Sequence, residues 1–390
     1  MKNSLILSHQ KWFKQTPHHF FFSPGRVNLI GEHVDYCGGH VLPMALSIGT
    51  YASVSKRKDG KISVFSEQFQ ADGIRTINLD ELSLSETDGF AKYIKGMVSK
   101  FQIENYDVSQ GLNIYIDGDL PTSAGLSSSA SLELLIASIL TVENDLDVLP
   151  LDRVFYSKYV ENSYLGLSSG IMDQFAVAFG EAGTAVYLNT KTLAYRHITI
   201  DLNAYTLVMM NTNKARNLVE SDYNARVLSI EKATELFKRK LSIDALCDVE
   251  PDQFMVYRHE LDIQTQVRAE HVISENRRTK DAYEALMNQD YVRFGALMNA
   301  SHDSLNHLYE VSCSELNYLV DYHRNHGALG ARMTGAGFGG TMIALYETKN
   351  YPTSFQRLKD AYEKEFGLKL DILVAKASKG AHQLEGDEIG

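Results

Sequence analysis

The sequence predicts an α+β fold arranged in two domains, and three observations lead to this prediction. Its 390 residues, 44% hydrophobic and 22% charged, have the composition of an ordinary globular protein and the length of one large or two medium domains. The first half has the pattern of strands with one strong helix. The second half has charged helices followed by strands again, an order typical of α+β proteins. We place the domain boundary near residue 200, which predicts domains of 1–200 and 201–390.

The first half contains three segments with the pattern of β-strands. Segments 48–56 and 62–67 flank Asp59-Gly60, a favoured turn between paired strands, so we expect them to form a β-hairpin. Segment 112–117 alternates like a half-buried strand. A helix is predicted after the next loop because apolar residues recur on one face. Those residues are Leu132, Leu135, Ile136, Ile139 and Leu140.

The rest of the chain mixes strands with charged helices. A second hairpin is expected to turn at 189–192, and the helical stretches after it carry many charged side chains, which indicates a solvated helical layer. The segments are hairpin strands 184–190 and 193–200, a strand at 207–210, helical stretches 217–247 and 257–326, a strand 341–347, a helix 354–366 and a strand 368–376.

Charge, cysteine content and apolar runs narrow the class of protein. A formal net charge of -11 disfavours a protein that binds the phosphates of nucleic acids. Cys37, Cys247 and Cys313 fit neither a disulfide framework nor a CxxC metal site, which favours a reducing cytoplasm. The first ten residues lack the apolar core of a signal peptide, and the apolar run 132–142 is about half of what a bilayer requires. We therefore expect a cytoplasmic protein with no nucleic-acid or membrane partner.

Segment 23–40 is the first of three that carry chemistry. It places Arg26, Glu32, His33 and Asp35 among four glycines, so several charged groups lie close together on a backbone that can turn sharply. Such groups can converge on one small polar ligand. The alternative is a surface loop with incidental salt bridges. Glu32, His33 and Asp35 are also residue types that bind metals, but their spacing of one and two residues is weak evidence for a metal site.

Segment 120–131 is the second, and it lies between a predicted strand and the predicted helix. Its small residues allow backbone N–H groups to approach a phosphate at a helix N-terminus, and its serine hydroxyls can add hydrogen bonds or a magnesium ligand. It is not a Walker loop, since GxxxxGK[ST] is absent. The alternative is a helix start capped by serine, but three consecutive serines exceed what capping needs.

Segment 333–341 is the third, and its glycines Gly335, Gly337 and Gly340 fit the pattern GxGxxG. A dinucleotide-binding loop must follow a strand and open a helix, whereas this loop precedes the predicted strand 341–347. The dehydrogenase interpretation therefore fails. What remains is a loop that can lie flat against another loop or a ligand, with a purely structural turn as the alternative.

Asp173 is a further candidate, because it follows the glycine turn of Ser168-Ser-Gly-Ile-Met-Asp-Gln174 and precedes an apolar run. A partly desolvated carboxylate in that setting is a plausible base. A helix N-terminal aspartate is the alternative. The kinase signatures HRD and DFG, the GxSxG elbow and HExxH are absent, so those mechanisms are set aside.

Together the three segments resemble those of the galactokinases, a family within the superfamily of galacto-, homoserine, mevalonate and phosphomevalonate (GHMP) kinases. Segment 25–36 is similar to the galactokinase signature, and segments 125–131 and 335–340 are similar to the second and third superfamily motifs. The resemblance implies a two-domain GHMP-kinase-like α+β fold with the active site in the inter-domain cleft. It also implies ATP-dependent phosphorylation of D-galactose at the C1 hydroxyl to α-D-galactose 1-phosphate, the first committed step of galactose catabolism, by direct phosphoryl transfer.

The resemblance assigns roles to individual residues. Asp173 would be the general base and Arg26 would stabilise the transferring phosphoryl group. The residues implied to bind the sugar are Glu32, His33, Asp35, Gly170 and Tyr223. Those implied to hold the phosphates of ATP are Ser123, Ala124, Gly125, Leu126, Ser127, Ser128 and Ser129, with Ser129 and Glu161 as ligands of Mg²⁺. Ser123 departs from the family, which usually has glycine there, so the backbone at that position can lie slightly off the phosphates.

Three other functions compete with this assignment. Two are sugar 1-kinases of the same group, with N-acetylgalactosamine or arabinose as substrate. The third is a galactose sensor without catalytic activity. The presence of Asp173, Arg26 and the uninterrupted run 127–131 favours an enzyme over a sensor. We expect a monomer that binds D-galactose and ATP.

Overall fold

The structure is a computed structural model that describes residues 2–121, 124–215 and 219–386. Its strands form sheets of six, four and three strands. In chain order the strands are β1 His19–Asn28, β2 His40–Val41, β3 Pro43–Arg57, β4 Lys61–Ser66, β5 Arg75–Asn78, β6 Gly111–Gly118, β7 Thr184–Asn189, β8 Tyr195–Thr199, β9 Tyr205–Asn211, β10 Gly330–Met333, β11 Thr341–Glu347, β12 Asp371–Val374 and β13 His382–Gln383.

Helices account for most of the rest of the fold. They are α1 Lys2–Phe13, α2 Ala91–Ile103, α3 Ser128–Glu143, α4 Pro150–Tyr159, α5 Met172–Phe179, α6 Val219–Lys240, α7 Pro251–Tyr257, α8 Ile263–Met287, α9 Tyr291–His307, α10 Ser314–Asn325 and α11 Gln356–Phe366. A π-helical turn, Val160–Tyr164, continues α4. None of these helices, over the residues described, is both long and apolar enough to cross a membrane. The predicted α+β class is confirmed.

The six-stranded sheet has the order β13-β1-β3-β6-β4-β5. The predicted hairpin of β3 with β4 is wrong, because β6 lies between them, antiparallel to β3 and parallel to β4. The turn at Asp59-Gly60 does reverse the chain, but it spans the start of β6, where Gly111 is paired with Arg57. A local turn signal cannot reveal that a later strand inserts between the two it connects.

The other predicted elements are close to those observed. β7 and β8 form the second hairpin, β11 spans the predicted range, and α3 carries the predicted apolar face into the core. The four-stranded sheet has the order β10-β11-β9-β12 and packs against α6 and the helices from α8 to α11.

The C-terminal strand β13 pairs with the first strand, β1. The pairing joins Phe21 to Gln383 and Phe22 to His382, so the last strand completes the sheet that the first strand begins. β1 also carries Arg26, and the loop after it carries the first motif. The boundary near residue 200 stays a prediction.

Candidate active site

A cavity of about 510 Å³ lies where the loops of the first half meet α6 and the glycine-rich loop of the second. It brings together every residue predicted for the sugar and for catalysis. They are Arg26, Glu32, His33, Asp35, Gly170, Asp173 and Tyr223, with Glu161 beside them. This convergence of charged and aromatic groups in one concave space is typical of a small-molecule site.

Arg26 and Asp173 form the centre of the site. The Nε and Nη2 atoms of Arg26 each donate to one carboxylate oxygen of Asp173 at 2.7 Å, in the bidentate geometry that favours arginine. The Nη1 atom donates to the carbonyl of Gly125 at 2.6 Å. Asp173 lies in the first turn of α5 and also accepts a hydrogen bond from the Ser127 hydroxyl. The guanidinium therefore joins the predicted base to the predicted phosphate loop.

The loop before α3 contains two residues with left-handed backbone conformations. Gly125 has φ +74°, and Ser127 has φ +60° immediately before α3 begins at Ser128. The carbonyl of Leu126 accepts the backbone N–H of Arg26 at 3.1 Å, which fixes the loop to β1. The N–H groups of the first turn of α3 and the helix dipole favour an anion here. Ser123 lies outside the described residues.

Ser129 and Glu161 present two oxygens side by side at the edge of the cavity. The Ser129 hydroxyl donates to one carboxylate oxygen of Glu161 at 2.8 Å, and the Gln174 amide donates to the other at 2.8 Å. Burial raises the pKa of Glu161 above its usual value. A hydroxyl and a buried carboxylate next to the predicted phosphate loop match the few protein ligands that Mg²⁺ takes, so the residues fit the ion.

Glu32 is held by groups from the far end of the chain. One of its carboxylate oxygens accepts hydrogen bonds from the Gly335 N–H at 2.8 Å and the Thr334 hydroxyl at 3.1 Å, and the guanidinium of Arg332 lies 3.2 Å away. Arg332 is completely buried and Glu32 nearly so. This pairing fixes the carboxylate and compensates for the loss of its hydration.

His33 has a left-handed backbone, with φ +61°, and is buried. Burial lowers its pKa to about 3, so the imidazole is neutral at pH 7. In the tautomer that this network favours, Nε2–H donates to the carbonyl of Ala336 at 3.2 Å, and Nδ1 accepts the Tyr36 hydroxyl at 3.0 Å. Tyr309 in turn donates to Tyr36 at 2.7 Å. The imidazole is thus fixed in orientation.

Asp35 and Gly170 are in close contact across the cavity. A side chain at Gly170 would place its Cβ 1.5 Å from an Asp35 carboxylate oxygen, so only glycine fits. Burial raises the pKa of Asp35 to about 6, and the negative charges of Asp173 and Glu32 add to this effect. Asp35 is therefore a poorly solvated carboxylate that gains from a hydrogen-bond donor placed beside it.

Tyr223 of α6 covers the same part of the cavity. Its ring centroid lies 5.6 Å from that of His33 and 5.6 Å from that of Tyr36. The three rings form one wall beside the predicted sugar-binding carboxylates. Burial keeps the pKa of the Tyr223 hydroxyl well above its usual value, so it remains a hydrogen-bond donor.

Sequence reasoning missed several residues of the site. Tyr36 and Gln174 lie inside the motifs but were given no role, and a polar side chain among predicted site residues was the available signal. Arg332 directly precedes the glycine-rich segment. Tyr309 had no signal, because the residues around it show only a helical pattern.

The comparisons with known proteins first define the class. The model "GHMP kinases N terminal domain" matches residues 92–181, and "GHMP kinases C terminal" matches 282–364. The mevalonate kinase of Methanococcus jannaschii shares the fold at 18% identity, with a TM-score of 0.65 over 93% of this chain and 99% of that one. The fold is that of a GHMP kinase, as predicted.

The particular family follows from nearer relatives. The model "Galactokinase galactose-binding signature" matches residues 7–56. A galactokinase from Exiguobacterium sibiricum is 43% identical over 97% of both chains, and one from Bacillus subtilis is 40% identical over 94% of this chain and 95% of that one. The crystal structure of Lactococcus lactis galactokinase complexed with galactose has a TM-score of 0.94 at 39% identity, covering 98% of this chain and 99% of that one. The chain belongs to the galactokinase family and is a kinase.

Proposed function

We propose that this chain transfers the γ-phosphoryl group of ATP to the C1 hydroxyl of D-galactose, giving α-D-galactose 1-phosphate in the first committed step of galactose catabolism. The observation that carries the proposal is the position of Asp173. It lines the cavity together with Glu32, His33 and Asp35 of the first motif, and hydrogen bonds through Arg26 and from Ser127 connect it to segment 124–129, the proposed phosphate loop. The galactose in the complex of the Lactococcus lactis relative supports the choice of sugar.

Glu32, His33 and Asp35 would distinguish sugars by the directions of their hydroxyl groups, because hydrogen bonds to these side chains are directional. Hydrogen bonds fix the orientation of Glu32 and His33, and burial leaves Asp35 poorly solvated. A sugar with one hydroxyl inverted leaves a buried donor or acceptor unpaired, which costs roughly 1 to 3 kcal/mol for each group. Two such groups give roughly 10²-fold to 10⁴-fold discrimination against D-glucose.

Asp173 would accept the proton of the C1 hydroxyl as the new bond forms. The sugar oxygen bonds to the γ-phosphorus, the bond from that phosphorus to the ADP oxygen breaks, and the proton passes to the carboxylate. Because phosphoryl transfer has a loose transition state, alignment and charge stabilisation account for most of the rate. Arg26, whose guanidinium donates to the carbonyl of Gly125, would stabilise the negative charge that develops on the phosphoryl group.

The α3 N-terminus and residues 124–129 would hold the phosphates of ATP. Ser129 and Glu161 would hold Mg²⁺, which neutralises phosphate charge when it is bound. We also propose that the enzyme acts in the cytoplasm as a monomer. The free cysteines Cys37, Cys247 and Cys313 suit a reducing compartment, and one chain supplies every residue of the cavity.

A coupled assay of ADP release tests the proposal. We expect D-galactose to have the highest specificity constant among D-galactose, D-glucose, N-acetylgalactosamine and arabinose. A higher value for N-acetylgalactosamine or arabinose would assign a different sugar 1-kinase. Calorimetric binding of galactose and ATP without ADP release would indicate a sensor, and either result would contradict the proposal.

A further inference from the structure

A second cluster of chemically active side chains lies outside the cavity, at the opposite end of α3. His18 Nε2 donates to one carboxylate oxygen of Glu143 at 2.9 Å, and His19 Nδ1 donates to the other at 2.8 Å. The three residues each offer one ligand atom, and these atoms lie within 4.8 Å of one another. The proposed chemistry of galactose phosphorylation makes no use of them.

The electrostatics of Glu143 favour a cation at this cluster. Its side chain is fully inaccessible, and no lysine or arginine within the described ranges forms an ion pair with it. It is the last residue of α3, where the helix dipole presents its negative end, and the last turn of α3 contains no basic residue. A buried carboxylate in that position is stabilised by a positive charge beside it.

We propose that His18, His19 and Glu143 form a binding site for a divalent transition-metal ion of the Zn²⁺ type. Two imidazole nitrogens and one carboxylate oxygen are a donor set that suits Zn²⁺ and not Mg²⁺, which prefers oxygen ligands. Three protein ligands leave a fourth position for water. The two histidine side chains are each 35% exposed, so the ion can enter from solvent.

The existing geometry needs a local adjustment to accept the ion. Bonds of about 2.0 to 2.1 Å in a tetrahedral arrangement set ligand atoms roughly 3.4 Å apart. The histidine–glutamate contacts of 2.9 and 2.8 Å would widen by about half an ångström, and any pair of ligand atoms that now lies farther apart, within the limit of 4.8 Å, would move closer. The proton on His18 Nε2 would move to Nδ1, and the proton on His19 Nδ1 would move to Nε2. Each imidazole then stays neutral and directs a lone pair at the ion.

The backbone on both sides of the site is already fixed. The His18 N–H donates to the carbonyl of Val54 at 2.9 Å, and His19 begins β1 in register with Val54. Glu143 ends a helix that packs against β1. A bound ion would therefore join the start of the strand that carries Arg26 to the end of the helix that begins at Ser128.

Calorimetric titration of the full chain with ZnCl₂ tests the proposal, after treatment with chelator and in saturating MgCl₂ without nucleotide. We expect one saturable Zn²⁺ site and a rise in melting temperature with Zn²⁺. His18→Gln and His19→Gln should each weaken binding at least ~10-fold. His259→Gln, which changes an exposed histidine elsewhere, should bind like the wild type.

Glu161→Gln separates this site from the one predicted for Mg²⁺, and we expect it to keep its Zn²⁺ affinity. Melting without metal shows whether each variant is folded. Tetrahedral Co²⁺ absorption that is lost in His19→Gln gives a second measurement. The proposal is overturned by absence of a saturable site, by wild-type affinity in the His18→Gln, His19→Gln double variant, or by loss of binding in Glu161→Gln.

Discussion

The two ends of the proposed site, one for the sugar and one for the phosphates, are built in different ways. The proposed phosphate end is one continuous segment, 124–129, at the start of α3, and its Ser127 and Ser129 hydroxyls donate to the cavity residues Asp173 and Glu161. The sugar end joins distant parts of the chain: the Glu32 carboxylate accepts the N–H of Gly335, 303 residues away. The phosphate end therefore depends on local backbone conformation, and the sugar end depends on the correct docking of the two halves of the chain.

The two ends also differ in their titrating groups. At the sugar end, burial lowers the pKa of His33 to about 3 and raises that of Asp35 to about 6. At the phosphate end the predicted phosphate contacts are N–H groups, hydroxyls and the Arg26 guanidinium, which keep one charge state across this range. The carboxylate beside them is that of Glu161, and burial raises its pKa above the usual value. We infer that changes in pH act on both ends, through Asp35 at the sugar end and through Glu161 at the phosphate end.

Asp173, where the two ends meet, gives the largest expected effect. Asp173→Asn keeps the side-chain shape but removes the proton acceptor and the charge that faces Arg26. We expect the turnover number to fall by at least ~100-fold, the scale of general-base loss, while galactose and ATP bind nearly as before. Steady-state kinetics and calorimetry measure the two quantities.

Asp252→Asn is a matched control for this change, because Asp252 is an exposed aspartate in the first turn of α7. Its kinetics should match those of the wild type. Unchanged turnover in Asp173→Asn would remove Asp173 as the base. Equal losses of sugar and nucleotide binding would show that Asp173 has a structural role.

Gly125→Val should damage the phosphate end alone. Gly125 has φ +74°, a conformation that a β-branched residue adopts only with strain, and its carbonyl accepts Arg26. We expect the specificity constant for ATP to fall roughly 10²-fold or more, since phosphate oxygens must approach this backbone. Galactose affinity, measured without nucleotide, should stay within a factor of two or so.

Gly183→Val is the control, because Gly183 also has a positive φ but has open space around it and lies far from the loop in sequence. It should lower stability without changing the ATP dependence. A Gly125→Val protein with normal nucleotide affinity would show that phosphates do not bind at 124–129.

The contrast between a site end made from one segment and a site end made from distant segments also explains what could be predicted from the sequence. The phosphate loop and α3 were predicted because small residues, serines and an apolar stripe follow one another in a single segment. The roles of Arg332, Thr334 and Tyr309 were not, because each depends on a contact across more than 270 residues that leaves no local pattern. Gly170 was assigned only by resemblance. Its physical cause, the Asp35 carboxylate at the position of a Cβ, exists only in the folded chain.

Asp35→Asn should show how much the buried Asp35 carboxylate at the sugar end lowers the free energy of unfolding. The pKa of Asp35 lies at about 6 in the folded protein and near 3.8 when unfolded, so the folded protein holds this proton more tightly. Its stabilising contribution is complete below about pH 3.8 and is lost as pH rises through 6. The difference corresponds to at most about 3 kcal/mol of unfolding free energy, less in practice because the carboxylate is partly exposed.

Urea unfolding of the ligand-free protein at two pH values measures this cost. Asp35→Asn should be more stable than the wild type at pH 8, and this gain should shrink to about a third of its size at pH 4.5, which lies only slightly above the pKa of the unfolded state. The variant should also use galactose poorly. Exposed Asp147→Asn should show no such pH-dependent gain. A stabilisation of equal size at both pH values would contradict the assigned pKa.

Gly170→Ala should damage the sugar end alone. The new methyl group cannot coexist with the present position of the Asp35 carboxylate, which lies 1.5 Å from the added Cβ. Displacing that group should cost about 1 to 3 kcal/mol of galactose binding, or roughly 5-fold to 150-fold in affinity. ATP affinity should not change. Gly166→Ala is the control: this glycine of the same loop has open space but φ +71°, so the variant should lower stability without changing galactose affinity. Normal galactose affinity in Gly170→Ala would show that Asp35 does not bind the sugar in its present position.

Thr341→Val gives the smallest expected effect and tests one contact between the second half of the chain and segment 124–129. The Thr341 hydroxyl, at the start of β11, donates to the carbonyl of Ala124 at 2.8 Å, and both residues are buried. Valine keeps the shape but leaves that carbonyl without this donor, at a cost of about 1 kcal/mol or somewhat more. Because the carbonyl belongs to the phosphate loop, the KM for ATP should rise up to about fivefold while the KM for galactose stays close to that of the wild type. Thr341→Ser retains the hydroxyl and should restore the ATP value. If serine and valine have equal effects, the contact is one of packing; if the galactose KM rises as much as that for ATP, the two ends are coupled and cannot be treated as separately built.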